Sequence, residues 1–356
     1  MKAVRSAGRV WRPAKVIAAL ALIAGLSLLV AACGSSGSSS TRSSSSTGGG
    51  SGTSGKHVSV AYLVSQLGNP FTEADIAGAK AYAAANNGSV TVFNGNTNPQ
   101  TQLSQCEDAV ASGKYQALEV SPVVGTALAG CVAQAKAKHI RVIAIDNPLG
   151  ASFATLKPQM SGVTGSVMET QVTQGDILGS EIKQACTSKS DCQVGLIIGS
   201  PEFASNPVAE EAIKKTLAAD SQIHIVATAA GNYTEGGGQS AAQDMLAAHS
   251  GINVLATFAD QMAMGAQKVL TTDGKLKTVQ LTGDGGSSNA LTAICKGYWV
   301  GTVDANPYET GYDGAKIAIL QVRGENPQSE LDPEPNELTK ADCGKASSLH
   351  LFTIAG

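Results

Sequence analysis

The chain has 356 residues, with 25 Lys or Arg against 28 Asp or Glu and a formal net charge of −3. Five of the basic residues (Lys2, Arg5, Arg9, Arg12 and Lys15) lie at the extreme N-terminus, which leaves the rest with 20 basic and 28 acidic groups, a balance of −8. Aromatic residues make up only 4% and no basic stripe is present, so nucleic acid and anionic lipid are excluded as expected partners.

In chain order, the basic N-terminus leads into an apolar run over 16–32, about the length of a secretory h-region and short for a membrane span of about 20 residues. The run ends in Leu29-Val30-Ala31-Ala32-Cys33, which resembles the bacterial lipobox. The resemblance implies removal of a signal peptide over 1–32 and a diacylglyceryl thioether on Cys33. A nearly pure Gly/Ser/Thr tract follows, and we assign 33–56 as lipidated cysteine plus linker. Such a composition cannot bury a core and behaves as a tether. Its roughly 22 residues give an r.m.s. reach on the order of 25 Å.

From residue 57 onward the chain alternates β-rich runs with Ala-rich amphipathic stretches. Strands are expected at 58–64, 90–93, 117–120 and 141–145, with helices at 72–86, 99–111 and 125–138 between them. After a non-helical stretch at 150–165, read as a connection between lobes, the pattern resumes. Helices are expected at 170–185, 206–219, 236–248, 261–271 and 286–296. The strands between them fall at 194–198, 223–227, 254–258, 278–281 and 299–303. A last helix at 307–323 precedes a Pro/Glu/Asn-rich loop at 326–336 and a short terminal strand at 349–354. About 300 residues suit two domains better than one core. The βα alternation implies parallel sheets covered by helices on both faces.

Without Cys33, six cysteines remain, an even number suited to an oxidising compartment. Sequence proximity pairs Cys186 with Cys192. Cys106 and Cys131 fall on consecutive expected helices, which leaves Cys295 with Cys343 as one of 15 possible connectivities.

Nearly every expected strand runs into hydrogen-bonding residues: Ser65 to Phe71, Asn94 to Asn96, Ser121, Asp146-Asn147, Ser200, Asn232-Tyr233, Asp260-Gln261, Asp284 and Asp304 to Asn306. Ligands of open α/β sheets bind outside the carboxyl ends of strands. Any single member could instead cap the helix that follows, as Asp260, directly before 261–271, could. Two lobes presenting such rims to each other would enclose a polar small molecule. Enzymatic chemistry finds little support. GDGGSSNA (283–290) lacks GxGxxG spacing, there is no phosphate-binding loop and no CxxC, and His57, His139, His224, His249 and His350 are scattered. No enzyme activity, cofactor or metal is expected.

The segments AYLVSQLGNPF (61–71), VIAIDN (142–147), ATFADQMAMGA (256–266), TGDGG (282–286) and GTVDANPYETG (301–311) together resemble the type I periplasmic sugar-binding proteins. These are the ribose-binding-like receptors of ABC importers. The resemblance runs from about residue 58 to the C-terminus. It implies two Rossmann-like, doubly wound lobes joined by a three-strand hinge. One lobe would take 57–162 plus 306–345 and the other 163–305 plus 346–356. Lobe closure on ligand and docking on a membrane permease are implied in turn. For the site it implies Asn69 beside the ring of Phe71, Asp146 as a hydroxyl acceptor, Tyr233 as an aromatic wall, and Asp260 and Asp284 from the second lobe. Ser65, Asn147, Asn206 and Asn306 complete the expected ligand-binding set.

The chain also departs from ribose-type receptors. Asn147 stands where they place Arg, no Arg occurs near Ser205-Asn206-Pro207, Ala259 replaces Asn and Ala305 replaces Gln. Planar multi-donor groups are therefore missing, which leaves a linear polyol or a different polar molecule open alongside a sugar. The expectation is a monomeric, extracytoplasmic, lipid-anchored receptor feeding an ABC permease. The alternative is a ligand sensor for a membrane histidine kinase or chemosensory partner.

Overall fold

The structure is a computed structural model that describes residues 55–333 and 336–354. The signal segment, Cys33 and nearly all of the linker lie outside the described residues. Among the described residues no helix is long and apolar enough to cross a membrane.

The first run comprises β1 (Val58–Val64), α1 (Pro70–Ala85), β2 (Gly88–Asn94), α2 (Pro99–Ser112), β3 (Ala117–Val120), α3 (Ala129–Ala137), β4 (Arg141–Ile145) and β5 (Gly165–Val167). The second comprises α4 (Gln171–Cys186), β6 (Cys192–Ile198), α5 (Ser205–Leu217), β7 (Ile223–Ala230), α6 (Glu235–Ala248), β8 (Ile252–Thr257), α7 (Asp260–Thr272), β9 (Gln280–Asp284), α8 (Ser288–Cys295) and β10 (Trp299–Asp304). The chain then returns through α9 (Pro307–Val322), β11 (Glu330–Leu331) and β12 (Asn336–Leu338).

Two sheets result, with strand orders β11-β5-β4-β3-β1-β2 and β12-β10-β9-β8-β6-β7. All neighbours are parallel except β12, which runs antiparallel to β10. The fold is thus a two-lobe α/β architecture with helices on both faces of each sheet. Central strands are buried on both sides, as β3 and β4 show with no exposed residue after Arg141. One face of the first sheet packs Leu63, Leu118 and Val142 under α2 and α3, and the other packs Tyr62, Ile143 and Ile145 under α1 and α9. Ile182, Leu196, Ile213, Leu255 and Met262 anchor the second lobe.

Local chemistry sets the helix starts. Asn69 and Asn98 cap α1 and α2 through their side-chain oxygens, each followed by Pro at the first helical position. Thr170, Thr234 and Ser287 do the same for α4, α6 and α8. α1 and α9 touch backbone to backbone. A Cβ on Gly78 would lie 1.9 Å from the Tyr308 carbonyl oxygen, and one on Gly311 would lie 2.0 Å from that of Asp75. Only glycine permits this approach.

The chain passes between the sheets three times, after β5, after β10 and between β11 and β12. The sequence placed the first passage at 162, but β5 pairs with β4 and so belongs to the first sheet. Likewise 336–345 was expected in the first lobe, whereas β12 pairs with β10 and Cys343 is bonded to Cys295 of α8. Cys106 is joined to Cys131 and Cys186 to Cys192, so all three pairs are those expected from the sequence. The helix expected over 125–138 starts as a 3-10 turn, Gly125–Leu128, before α3. The strand expected at 349–354 is absent. That segment lies along α8, held by Ser288 N–H to the Phe352 carbonyl at 2.8 Å and Ile354 N–H to Asn289 Oδ1 at 2.9 Å.

Candidate functional site

The carboxyl ends of the two sheets face each other across a cleft with a cavity volume of about 120 Å³. From the first lobe, Ser65, Gln66, Asn69, Phe71, Ser121, Asp146 and Asn147 line it. From the second lobe come Phe203, Ser205, Tyr233, Phe258, Gln261 and Asp284. Glu169 approaches from the first passage between the sheets, and Gln171 and Gln174 from the first turn of α4.

Asp146 closes β4 in a left-handed conformation, φ 58°, which turns its side chain out of the strand. Such a φ is uncommon outside glycine, though Asp and Asn tolerate it best. Ser121 Oγ donates to Asp146 Oδ2 at 3.0 Å. Behind it, Tyr62 donates its hydroxyl to the fully buried Asp75. Burial, followed by the charge of Asp146, pushes Asp75 well above the carboxylate range. Glu119, fully buried on β3, is pushed up to about 8 by burial. Asp146 itself rises to about 6 through burial, with contacts from Asp75 and Ser121 opposing the rise. Of these acids, Asp146 is therefore the charged one at neutral pH, and it is the one that reaches the cleft.

Tyr233 follows β7, and both it and Asn232 have φ 54°. A left-handed tyrosine is a real outlier, and such strain persists where the surroundings over-determine it. Here Tyr233 donates its hydroxyl to Asn206 Oδ1 at 3.0 Å and meets Phe203 edge-on at 5.5 Å. Its ring lies so close over Gly199 that a Cβ there would sit 2.0 Å away. Gln261 spans the lobes, donating from Nε2 to Asn69 Oδ1 at 3.3 Å and to the Tyr233 carbonyl at 3.2 Å. Phe71 meets Phe352 of the C-terminal segment edge-on at 6.0 Å, a second contact across the mouth.

Residues 60–326 match the family model described as the periplasmic binding protein domain. The chain belongs to the periplasmic binding protein family. That family consists of substrate-binding receptors rather than enzymes. The ribose import binding protein of Escherichia coli (strain K12) is 24% identical over 275 residues, covering 76% of this chain and 87% of that protein. Its Salmonella typhimurium (strain LT2) counterpart is 23% identical over the same length. Among solved structures, a Mycobacterium smegmatis ABC transporter solute binding protein with bound glycerol superposes with a TM-score of 0.74 at 21% identity, covering 84% of this chain and all of that one. The Caulobacter myo-inositol binding protein, bound to myo-inositol, gives 0.73 at 22%, covering 83% of this chain and 97% of that one.

Within this periplasmic binding protein, the structure brings Ser65, Asn69, Phe71, Asp146, Asn147, Tyr233 and Asp284 into one cleft. Three other expected residues do not line it. Asn206 is buried behind Tyr233, its amide bonded to the Ser200 carbonyl at 2.6 Å. Asp260 is fully buried, accepting from Thr302 Oγ1 at 2.6 Å and Ser287 N–H at 2.7 Å, so it joins α7 to the α8 start instead of meeting ligand. Asn306 has φ 41° and turns the chain into α9, where its carbonyl accepts from Thr310 N–H at 3.0 Å.

Sequence reasoning missed Glu169, Gln171 and Gln174. Glu169 is only 4% exposed. Its Oε2 accepts from Gln174 at 3.2 Å, and its Oε1 has no partner. Burial, then Asp284, raises Glu169 to about 10. The half-buried Asp284 is itself raised by burial and by Asp260. None of the described residues lining the cleft is Lys, Arg or His. Among the described residues no group of three or more His, Cys, Asp or Glu could hold a metal ion.

Proposed function

We propose that this periplasmic binding protein is an extracytoplasmic receptor that captures one small polar ligand, a sugar or polyol, by closing its lobes. It then presents the closed form to an ABC permease. The single observation carrying this reading is a cleft whose hydrogen-bonding groups and aromatic faces come from both lobes. A ligand bound there contacts both halves and so favours the closed state by its differential affinity. The charged Asp146 accepts from ligand hydroxyls while Phe71, Phe203, Tyr233 and Phe258 cover apolar ring or chain faces. With no cation among the described lining residues, phosphorylated or carboxylate ligands are disfavoured. The ribose, glycerol and myo-inositol named for its relatives and neighbours belong to this chemical class.

In our reading Cys33 carries the lipid, so the receptor works as a monomer tethered through 33–56 above the membrane. Substituting Cys33→Ala should shift the protein from the membrane fraction to the medium. For ligand capture the test is native mass spectrometry of the purified protein, followed by a thermal-shift panel of pentoses, hexoses, cyclitols and linear polyols. A ligand at about 100 times its Kd should add about 2.7 kcal/mol to stability. A panel without any shift, together with an empty mass spectrum, removes the reading.

A further inference from the structure

The acids of the cleft are not balanced as a neutral polyol would require. Asp146 has its own donors in Ser121 and the acid layer behind it. Glu169, after β5, and Asp284, at the end of β9, also line the cleft. They are close enough that the charge of Asp284 raises Glu169. Among the described residues that line the cleft there is no cation. The other charged groups facing Glu169 are Asp304, at the end of β10, and Asp332, beyond β11, and both are acids. Glu169 is nine-tenths buried, lines the cleft and leaves Oε1 without a partner, although the neighbouring Gln174 satisfies Oε2. A buried polar atom without a partner is costly, and one that lines an open cleft is placed to pair with a bound group.

A hydroxyl could pair with Glu169 while it keeps its proton, but it brings no counter-charge that would let Glu169 and Asp284 ionise together. A protonated amine supplies both the charge and up to three N–H donors. Four aromatic side chains, Phe71, Phe203, Tyr233 and Phe258, line the same space and offer ring faces to a cation.

We propose that the ligand is an amine-bearing polyol, an amino sugar or aminocyclitol, whose ammonium group pairs with Glu169 and Asp284 while its hydroxyls face Asp146. This rests on the receptor reading above and narrows it. In the empty cleft Glu169 holds a proton, so an ammonium seated against it releases that proton to the buffer.

The test is calorimetry on the full chain in detergent, stripped of co-purified ligand, with matched probes. D-glucosamine is set against D-glucose, 1-amino-1-deoxy-D-sorbitol against D-sorbitol, and scyllo-inosamine against myo-inositol. At least one amine is expected to bind tenfold or more tighter than its hydroxyl partner, with up to one proton released, as read from buffers of different ionisation enthalpy. Glu169→Gln should reduce that preference to near unity. Asp284→Asn serves the same purpose should the first variant fail to fold. Hydroxyl members binding as tightly as their amines, or an amine preference untouched by both variants, overturns the ammonium site and leaves the receptor reading intact. Binding of neither series, with no small molecule co-purified, overturns both.

Discussion

Glu119→Gln probes the acid layer beneath the cleft without needing a ligand. Glu119 sits on β3 between Tyr62 of β1 and Ile143 of β4, fully buried, with neither carboxylate oxygen hydrogen-bonded. Burial raises it to about 8 from an ordinary 4.5. The folded protein therefore holds a proton there that the unfolded chain gives up. That contribution to stability is fully present below about pH 4.5 and is lost as pH rises through about 8. At about 1.4 kcal/mol per pH unit across the window, the loss is on the order of 5 kcal/mol by pH 8. Glutamine has nearly the same shape and does not titrate. At pH 5 the variant should melt at or slightly below the parent, because its amide adds donors that lack acceptors. By pH 8.5 it should melt above the parent, by roughly 10 °C at about 2–4 °C per kcal/mol. Scanning calorimetry from pH 5 to pH 9 on both proteins measures the crossing. A constant offset across that range would refute the claim that Glu119 is kept neutral, and with it the reasoning that Asp146 alone carries the charge.

Further outcomes follow from the same geometry. Asp146→Asn keeps a side chain tolerant of φ 58° and should leave the fold intact, while removing a charged acceptor worth about 1.5–3 kcal/mol. Affinity for the ligand should fall tenfold or more in calorimetry. Because Asp146 is raised to about 6, affinity in the parent should hold above pH 7 and decline as pH falls through 6. Titrations at pH 5 and pH 7.5 check this directly. Gln261→Ala removes the inter-lobe bond to Asn69 and should raise Kd several-fold at about 1 kcal/mol, mainly through faster release. Gly311→Ala places a Cβ 2.0 Å from the Asp75 carbonyl and should destabilise by about 1–3 kcal/mol in urea titration.

Much of the fold was legible because buried parallel strands such as 117–120 and 141–145 read as short apolar runs, and helices announce themselves through Asn-Pro and Thr or Ser caps. β5 was not legible. Its Gly165-Ser166-Val167 is too short to show periodicity, and it pairs through neighbours far away in sequence. Glu169 was hidden for the same reason, since a residue can be read as a strand-end group only if the strand is seen. Asp260 and Asn206 illustrate the opposite error. The position of Asp260 after a strand, and of Asn206 in the expected ligand-binding set, suggested ligand contact, yet long-range partners, Thr302 and Tyr233, claim their side chains. The left-handed Asn232-Tyr233 pair that seats the aromatic wall carries no sequence signal beyond the Asn.

The measurement that bears most directly on the account is native mass spectrometry of the purified protein beside its Asp146→Ala variant. One small polyhydroxylated molecule per chain is expected in the parent, and its loss in a variant that remains folded. A folded variant that retains the same molecule, or a parent that carries none and binds nothing in the ligand panel, would contradict it.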